Sequence, residues 1–166
     1  MIHEVCDNDP VIFCEHKSLH HIQEDVPESS YAIPFGESNI LREGGDATIV
    51  AFGFMVKKSM EAASKLAKEG IQCEVIDPRT TSPLDLETVI ESVENTGRLV
   101  VVDESNPRCS IAADISAQIT EQAFNSLKGP VKMVTAPHCP PPFSDVLEDL
   151  YIPSSEKIAE AVKSLN

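Results

Sequence analysis

Basic residues are scarce: 13 lysines and arginines face 27 aspartates and glutamates, for a formal net charge of −14. A chain this acidic cannot displace the counterions around nucleic-acid phosphates, and anionic membrane surfaces repel it. Long apolar runs are missing too, and none approaches the roughly 20 residues that span a bilayer. The opening MIHEVCDNDP is acidic and has no apolar core, so it reads as neither a signal nor a transit peptide. The five cysteines (Cys6, Cys14, Cys73, Cys109, Cys139) are odd in number and contain no CxxC. They suit neither a disulfide framework nor a zinc site, and point to reduced thiols in a cytoplasmic compartment, or a mitochondrial matrix if the source is eukaryotic. Glycine cradles for phosphate are absent. Gly53 is followed by Phe-Met-Val, and neither GxGxxG nor GxxxxGK[ST] occurs.

What is present is regular alternation. "ATIVAFG" (47–53) reads as a buried strand, and "MVKKSMEAASKLAKEG" (55–70) as a helix with Val56, Met60, Ala63, Leu66 and Ala67 on its apolar face. Strand "IQCEVID" (71–77) and helix "DLETVIESVENTG" (85–97) follow, the helix capped by Asp85 and stopped by Gly97. Then come strand "RLVVVDE" (98–104), a helix over 110–129 with Ser110 as N-cap, strand "VKMVTAP" (131–137) and a terminal helix over 154–166 capped by Ser154 or Ser155. Strands joined by such helices pair in parallel through right-handed crossovers. The expected fold is an α/β domain: an open, doubly wound, mostly parallel sheet of about five strands with helices on both faces. "SNILREG" (38–44) would add one antiparallel edge strand. Residues 1–33 fall outside this scheme. "DPVIFCEHK" (9–17) reads as a strand without a nearby partner, and 20–34 as an exposed linker.

Several side chains gather where such sheets bind ligands. Asp77, Arg79, Asp103 and Glu104 end two strands; they suit a substrate or metal, or structural pairing with Arg79 holding a carboxylate bidentately. His138 follows the last strand in the proline-fixed "TAPHCPPPF" and suits a substrate-side or interface role. Cys139 points away from it on an extended backbone, so the two do not make a nucleophile pair. His16 and His20 sit four residues apart but in loop-like sequence, and read as surface histidines, as does His21.

Together these loops carry a resemblance. "VIDPRTTSPLD", "RLVVVDES", "IPFGESNILREGGDATIVAFG" and the ending "VTAPHCPPPFSDVLEDLYIPSSEKIAEAV" resemble the C-terminal, transketolase-like domain of the β subunits of thiamine-diphosphate-dependent 2-oxo acid dehydrogenases. "DPRTTSPLD", "NPRCSIAADI" and "TAPHCPPPFSDVLEDLYIP" look most like the acetoin dehydrogenase branch, whereas pyruvate-type members more often carry Asp at the position of His138. The resemblance implies a division into residues 1–33, the end of a preceding pyrimidine-binding domain plus linker, and residues 34–166, the transketolase C-terminal-like domain. It implies an intact oxidoreductase that cleaves acetoin or decarboxylates a 2-oxo acid and passes the acyl group to lipoamide. That enzyme would use thiamine diphosphate and magnesium held outside this chain, so no catalytic, cofactor-binding or metal residue is assigned here and the chain alone is expected to be inactive. The implied partners are an α subunit, a second β subunit and a dihydrolipoyl acyltransferase core, with Glu148, Asp149 and the carboxylate of Asn166 as docking contacts. Rival readings are the corresponding domain of a transketolase or deoxyxylulose-phosphate synthase, and a stand-alone docking module. On either dehydrogenase reading, 77–85 is an architectural corner: Pro78 and Pro83 set turns, Arg79 ties carboxylates and Asp85 starts a helix.

Overall fold

In the computed structural model, residues 8–23 and 25–165 are described. Five strands form one sheet: β1 (Asn39–Arg42), β2 (Ala47–Ala51), β3 (Cys73–Asp77), β4 (Leu99–Asp103) and β5 (Lys132–Thr135). Their order across the sheet is β1-β3-β2-β4-β5. β1 is antiparallel to β3, and the other pairings are parallel. The expected architecture is the observed one. β2 lies at the centre and is completely buried from Ala47 to Ala51, which is why it reads as continuous apolar sequence rather than alternation.

Helices cover both faces. α1 (Phe54–Lys68) and α5 (Ser155–Lys163) lie on one side, where Met55, Leu66, Ile158 and Val162 meet Ile49, Val75 and Val100. α2 (Leu86–Thr96) and α3 (Ile111–Gln122) lie on the other, where Val89, Val93, Ile115 and Ile119 meet Val50, Ile76 and Val101. Each side chain of this kind, fully buried, contributes roughly 1.5–3 kcal/mol. The fully buried stripe of α1 is Met55, Ser59, Ala62, Ala63 and Leu66, while Val56, Met60 and Ala67 flank it half-buried. The stripe is turned from the expected one because α1 must meet both the sheet and α5.

The helix signals act as the sequence suggests. Asp85 Oδ1 accepts from Thr88 N–H (3.2 Å), Ser110 Oγ from Ala113 N–H (3.2 Å) and Ser154 Oγ from Lys157 N–H (3.3 Å). Gly97 ends α2 at φ 76°, a conformation that favours glycine. A buried hydroxyl cluster ties α2 to the central strand: Thr48 Oγ1 lies 2.6 Å from Ser92 Oγ and 2.8 Å from Thr96 Oγ1.

Three expectations need correction. Residues 9–17 form no strand; Val11, Ile12 and Phe13 are exposed, and only a single 3-10 turn follows at Lys17–Leu19. A strand needs a ladder partner, and among the described residues no strand pairs with this segment. The helix expected over 110–129 stops at Gln122 and gives way to a 3-10 turn at Phe124–Ser126. Lys128 N–H donates to Gly97 O (2.7 Å) and its Nζ to Thr96 O (3.3 Å), drawing the chain off the helix axis toward the end of α2. Finally, a helix not anticipated, α4 (Asp145–Tyr151), stands between β5 and α5.

Candidate functional site at the carboxyl edge of the sheet

The strand order reverses at β2: the chain passes from β2 to β3 on one side, then crosses to β4 on the other. At such a switch point the loops leaving the strands part and open a crevice beyond their carboxyl ends, where open α/β sheets bind ligands. Here the crevice is a cavity of about 570 Å³. Its floor is the Phe52-Gly53-Phe54 turn into α1, and its rim carries Asp77, Arg79, Asp103 and Glu104. Residues 13–20 close it as a strap.

His16 fastens the strap. Its ring stacks on Phe54, with centroids 5.1 Å apart and planes 12° from parallel. Ser18 N–H donates to His16 Nδ1 (3.2 Å), which places the ring hydrogen on Nε2; that atom lies 3.0 Å from Glu104 Oε2 and donates to it. Lys58 Nζ stands over the same phenyl ring, 5.3 Å from its centroid. His20 reaches Glu15 at 3.6 Å on the surface. His16 is therefore a tethering residue rather than a surface histidine. Its partner lies 88 positions away, and no local pattern in the sequence announces so distant a pairing.

The four expected strand-end residues do meet at one rim, but Arg79 does not pair there. Its backbone is left-handed (φ 61°), its N–H donates to Asp77 Oδ1 (3.0 Å), and its guanidinium makes no hydrogen bond or ion pair among the described residues. Arg79 is exposed and lines the crevice, and among the described residues no carboxylate pairs with its guanidinium there. Burial pushes the Asp77 carboxyl above its ordinary value, against the Arg79 N–H and guanidinium, which pull it down. Asp103 is occupied locally, accepting from Ser105 N–H (2.9 Å) and Ser105 Oγ. Glu104 Oε1 is buried and has no hydrogen-bond partner among the described residues.

The rest of the corner is architectural. Thr80 Oγ1 donates to Pro83 O (2.8 Å) and accepts from Gly36 N–H (3.0 Å), and Asp85 Oδ2 accepts from Ser38 N–H (2.7 Å). The 77–85 loop thus pins the segment that leads into β1. His138 and Cys139 are both exposed beyond β5 and do not line the crevice. Glu148 and Asp149 are exposed on α4, while Asn166 lies outside the described residues.

These residues do not fit a diphosphate with its magnesium. The crevice sets Glu15, Asp77, Asp103 and Glu104 against a single guanidinium, which repels phosphate. Among the described residues no group of three or more His, Cys, Asp or Glu side chains could hold a metal ion.

A switch-point crevice on a sheet with one antiparallel edge defines the class as a doubly wound α/β domain. Residues 36–158 match the family described as Transketolase, C-terminal domain, and the chain belongs to that family. It is 61% identical over 163 residues to the acetoin:2,6-dichlorophenolindophenol oxidoreductase subunit beta of Cupriavidus necator, covering 98% of this chain and 48% of that relative. The Bacillus subtilis protein of the same name is 48% identical, with 96% and 46% covered. The pyruvate dehydrogenase E1 component subunit beta of Bacillus subtilis is 42% identical, with 99% and 51% covered. A solved structure titled "Split gene transketolase, inactive beta4 tetramer" superposes with a TM-score of 0.72 at 28% identity, covering 86% of this chain and 45% of that one. The chain spans about half the length of the curated relatives it matches.

Proposed function

We propose that this chain serves as the C-terminal assembly domain of the β subunit of an acetoin-cleaving, thiamine-diphosphate-dependent dehydrogenase. The observation that carries the reading is the gradient of similarity: 61% identity to an acetoin-type β subunit against 42% to a pyruvate-type one, across nearly the same residues. Thiamine diphosphate and magnesium belong to the whole enzyme; the acidic rim described above is a poor place for them. The role of this domain is contact, with an α subunit, with a second β subunit and with a basic segment of the dihydrolipoyl acyltransferase core. Glu148 and Asp149 on α4, with Asn166, are the proposed docking groups, and His138 a proposed interface residue. Docking driven by a net charge of −14 weakens as salt rises past the point where the Debye length falls to about 10 Å. A reducing, cytoplasmic setting goes with this reading.

Half-chain exchange tests it. This chain replaces the C-terminal half of the Cupriavidus necator acetoin-type β subunit, and separately that of the Bacillus subtilis pyruvate-type β subunit, each co-expressed with its own α subunit. The acetoin-type hybrid is expected to assemble and reduce 2,6-dichlorophenolindophenol with acetoin, and the pyruvate-type hybrid to assemble poorly. Equal assembly, or the reverse order, would contradict the acetoin assignment.

A further inference from the structure

The contact between His16 and Glu104 is incomplete, and what it lacks describes a ligand. Glu104 lines a cavity floored by Phe52 and Phe54. Imidazole has only one hydrogen to give here, since Ser18 N–H occupies Nδ1, so Oε2 is satisfied and Oε1 is buried without a partner. A buried carboxylate oxygen left unmet is costly, and the group that satisfies both oxygens of a carboxylate in one plane is a pair of parallel N–H donors. The remaining walls agree. Phe54 already accepts a flat ring, which shows that a planar group fits above it. Glu15, Asp77 and Asp103 add further negative charge, against which Arg79 is the only guanidinium or ammonium among the lining residues. The cavity of about 570 Å³ lies within the range of small-molecule sites.

We infer that the crevice is a binding site for a planar, doubly N–H-donating cation, a guanidinium or amidinium, and that His16 is its internal placeholder. The ligand stacks on Phe54, bridges both oxygens of Glu104 and displaces the imidazole, which frees the strap of residues 13–20. The same chemistry is available as a free small molecule or as an arginine side chain of a protein segment. No bond is made or broken, so the site is one of recognition. It stands apart from the assembly role, since it uses none of the proposed docking residues.

The test is calorimetry of the 166-residue chain with benzamidine, and with benzamide as the neutral isostere. The wild type is expected to bind benzamidine saturably and benzamide at least about tenfold more weakly, as loss of a charge-assisted pair implies. His16→Ala removes the competitor and is expected to tighten benzamidine binding, and Glu104→Gln to weaken it at least tenfold. Equal binding of benzamidine and benzamide by the wild type, or no benzamidine binding, overturns the inference whether or not the variants fold. So does unchanged affinity in a folded Glu104→Gln. Agmatine against acetyl-Gly-Arg-Gly-amide separates the two sources: tighter binding of agmatine assigns the site to a small molecule, and tighter binding of the peptide to an arginine of a protein partner.

Discussion

At the scale of single residues, the chain uses partly buried polar groups as ties. Asp85 is the clearest case, serving α2 through one oxygen and Ser38 N–H and Thr88 Oγ1 through the other. Burial raises its carboxyl, but hydrogen bonds from Ser38 and Thr88 outweigh that and hold it below its ordinary value. A lowered folded value means stability present above the unfolded value of about 3.9 and lost as pH falls through the folded one. Asp85→Asn keeps one acceptor but turns an amide toward Ser38 N–H, at a cost of about 1–2 kcal/mol. Urea titrations should show that gap at pH 7 and see it shrink below about pH 4. Cysteines divide just as sharply. Burial pushes the Cys73 thiol up to about 11, whereas Cys14, Cys109 and Cys139 are exposed. Iodoacetamide at pH 8 should therefore label those three in the native chain and Cys73 only after unfolding, as read by peptide mass spectrometry. Caps such as Asp85 and Ser110 were legible because their partners lie three residues on. The left-handed backbone of Arg79 (φ 61°) is not legible in the same way, because it leaves no mark on side-chain spacing.

At the scale of elements, legibility followed burial. β2, β3 and β4 and the helices between them have a face to hide, so their periodicity is written in the sequence. α4 hides nothing. Phe143, Val146, Leu147 and Leu150 on and beside it are 53–103% exposed, and three prolines precede it, so its short helical repeat at Leu147, Leu150 and Tyr151 has no core contact to support it. The strand expected at 9–17 failed for the converse reason: its apolar residues promised burial, yet no ladder receives them. An exposed apolar helix bearing Glu148 and Asp149 is the natural place for the proposed subunit contacts. Val146→Asp with Leu150→Asp is thus expected to shift the unfolding free energy of the isolated chain by no more than about 0.5 kcal/mol, because neither side chain is in the core. The same pair should abolish assembly of the acetoin-type hybrid. A large loss of stability in the isolated chain would instead place α4 in this domain's own core.

At the scale of the whole molecule, two properties favour the proposed assembly role. The acidic surface suits basic partners, and the crevice at the sheet's switch point sets four carboxylates beside one guanidinium. The fold class followed from strand–helix alternation alone, and the family from its loops; the strap did not, because His16 and Glu104 are brought together only by the complete fold. The central claim is that this domain assembles an enzyme whose cofactor sits elsewhere. Equilibrium dialysis of the folded 166-residue chain against thiamine diphosphate with magnesium measures it most directly, since bound cofactor is counted whatever the heat of binding. The expected result is no retention above that of the same buffer without protein. Saturable, stoichiometric retention that Asp103→Asn or Glu104→Gln alters would contradict it and make the carboxyl edge a cofactor site.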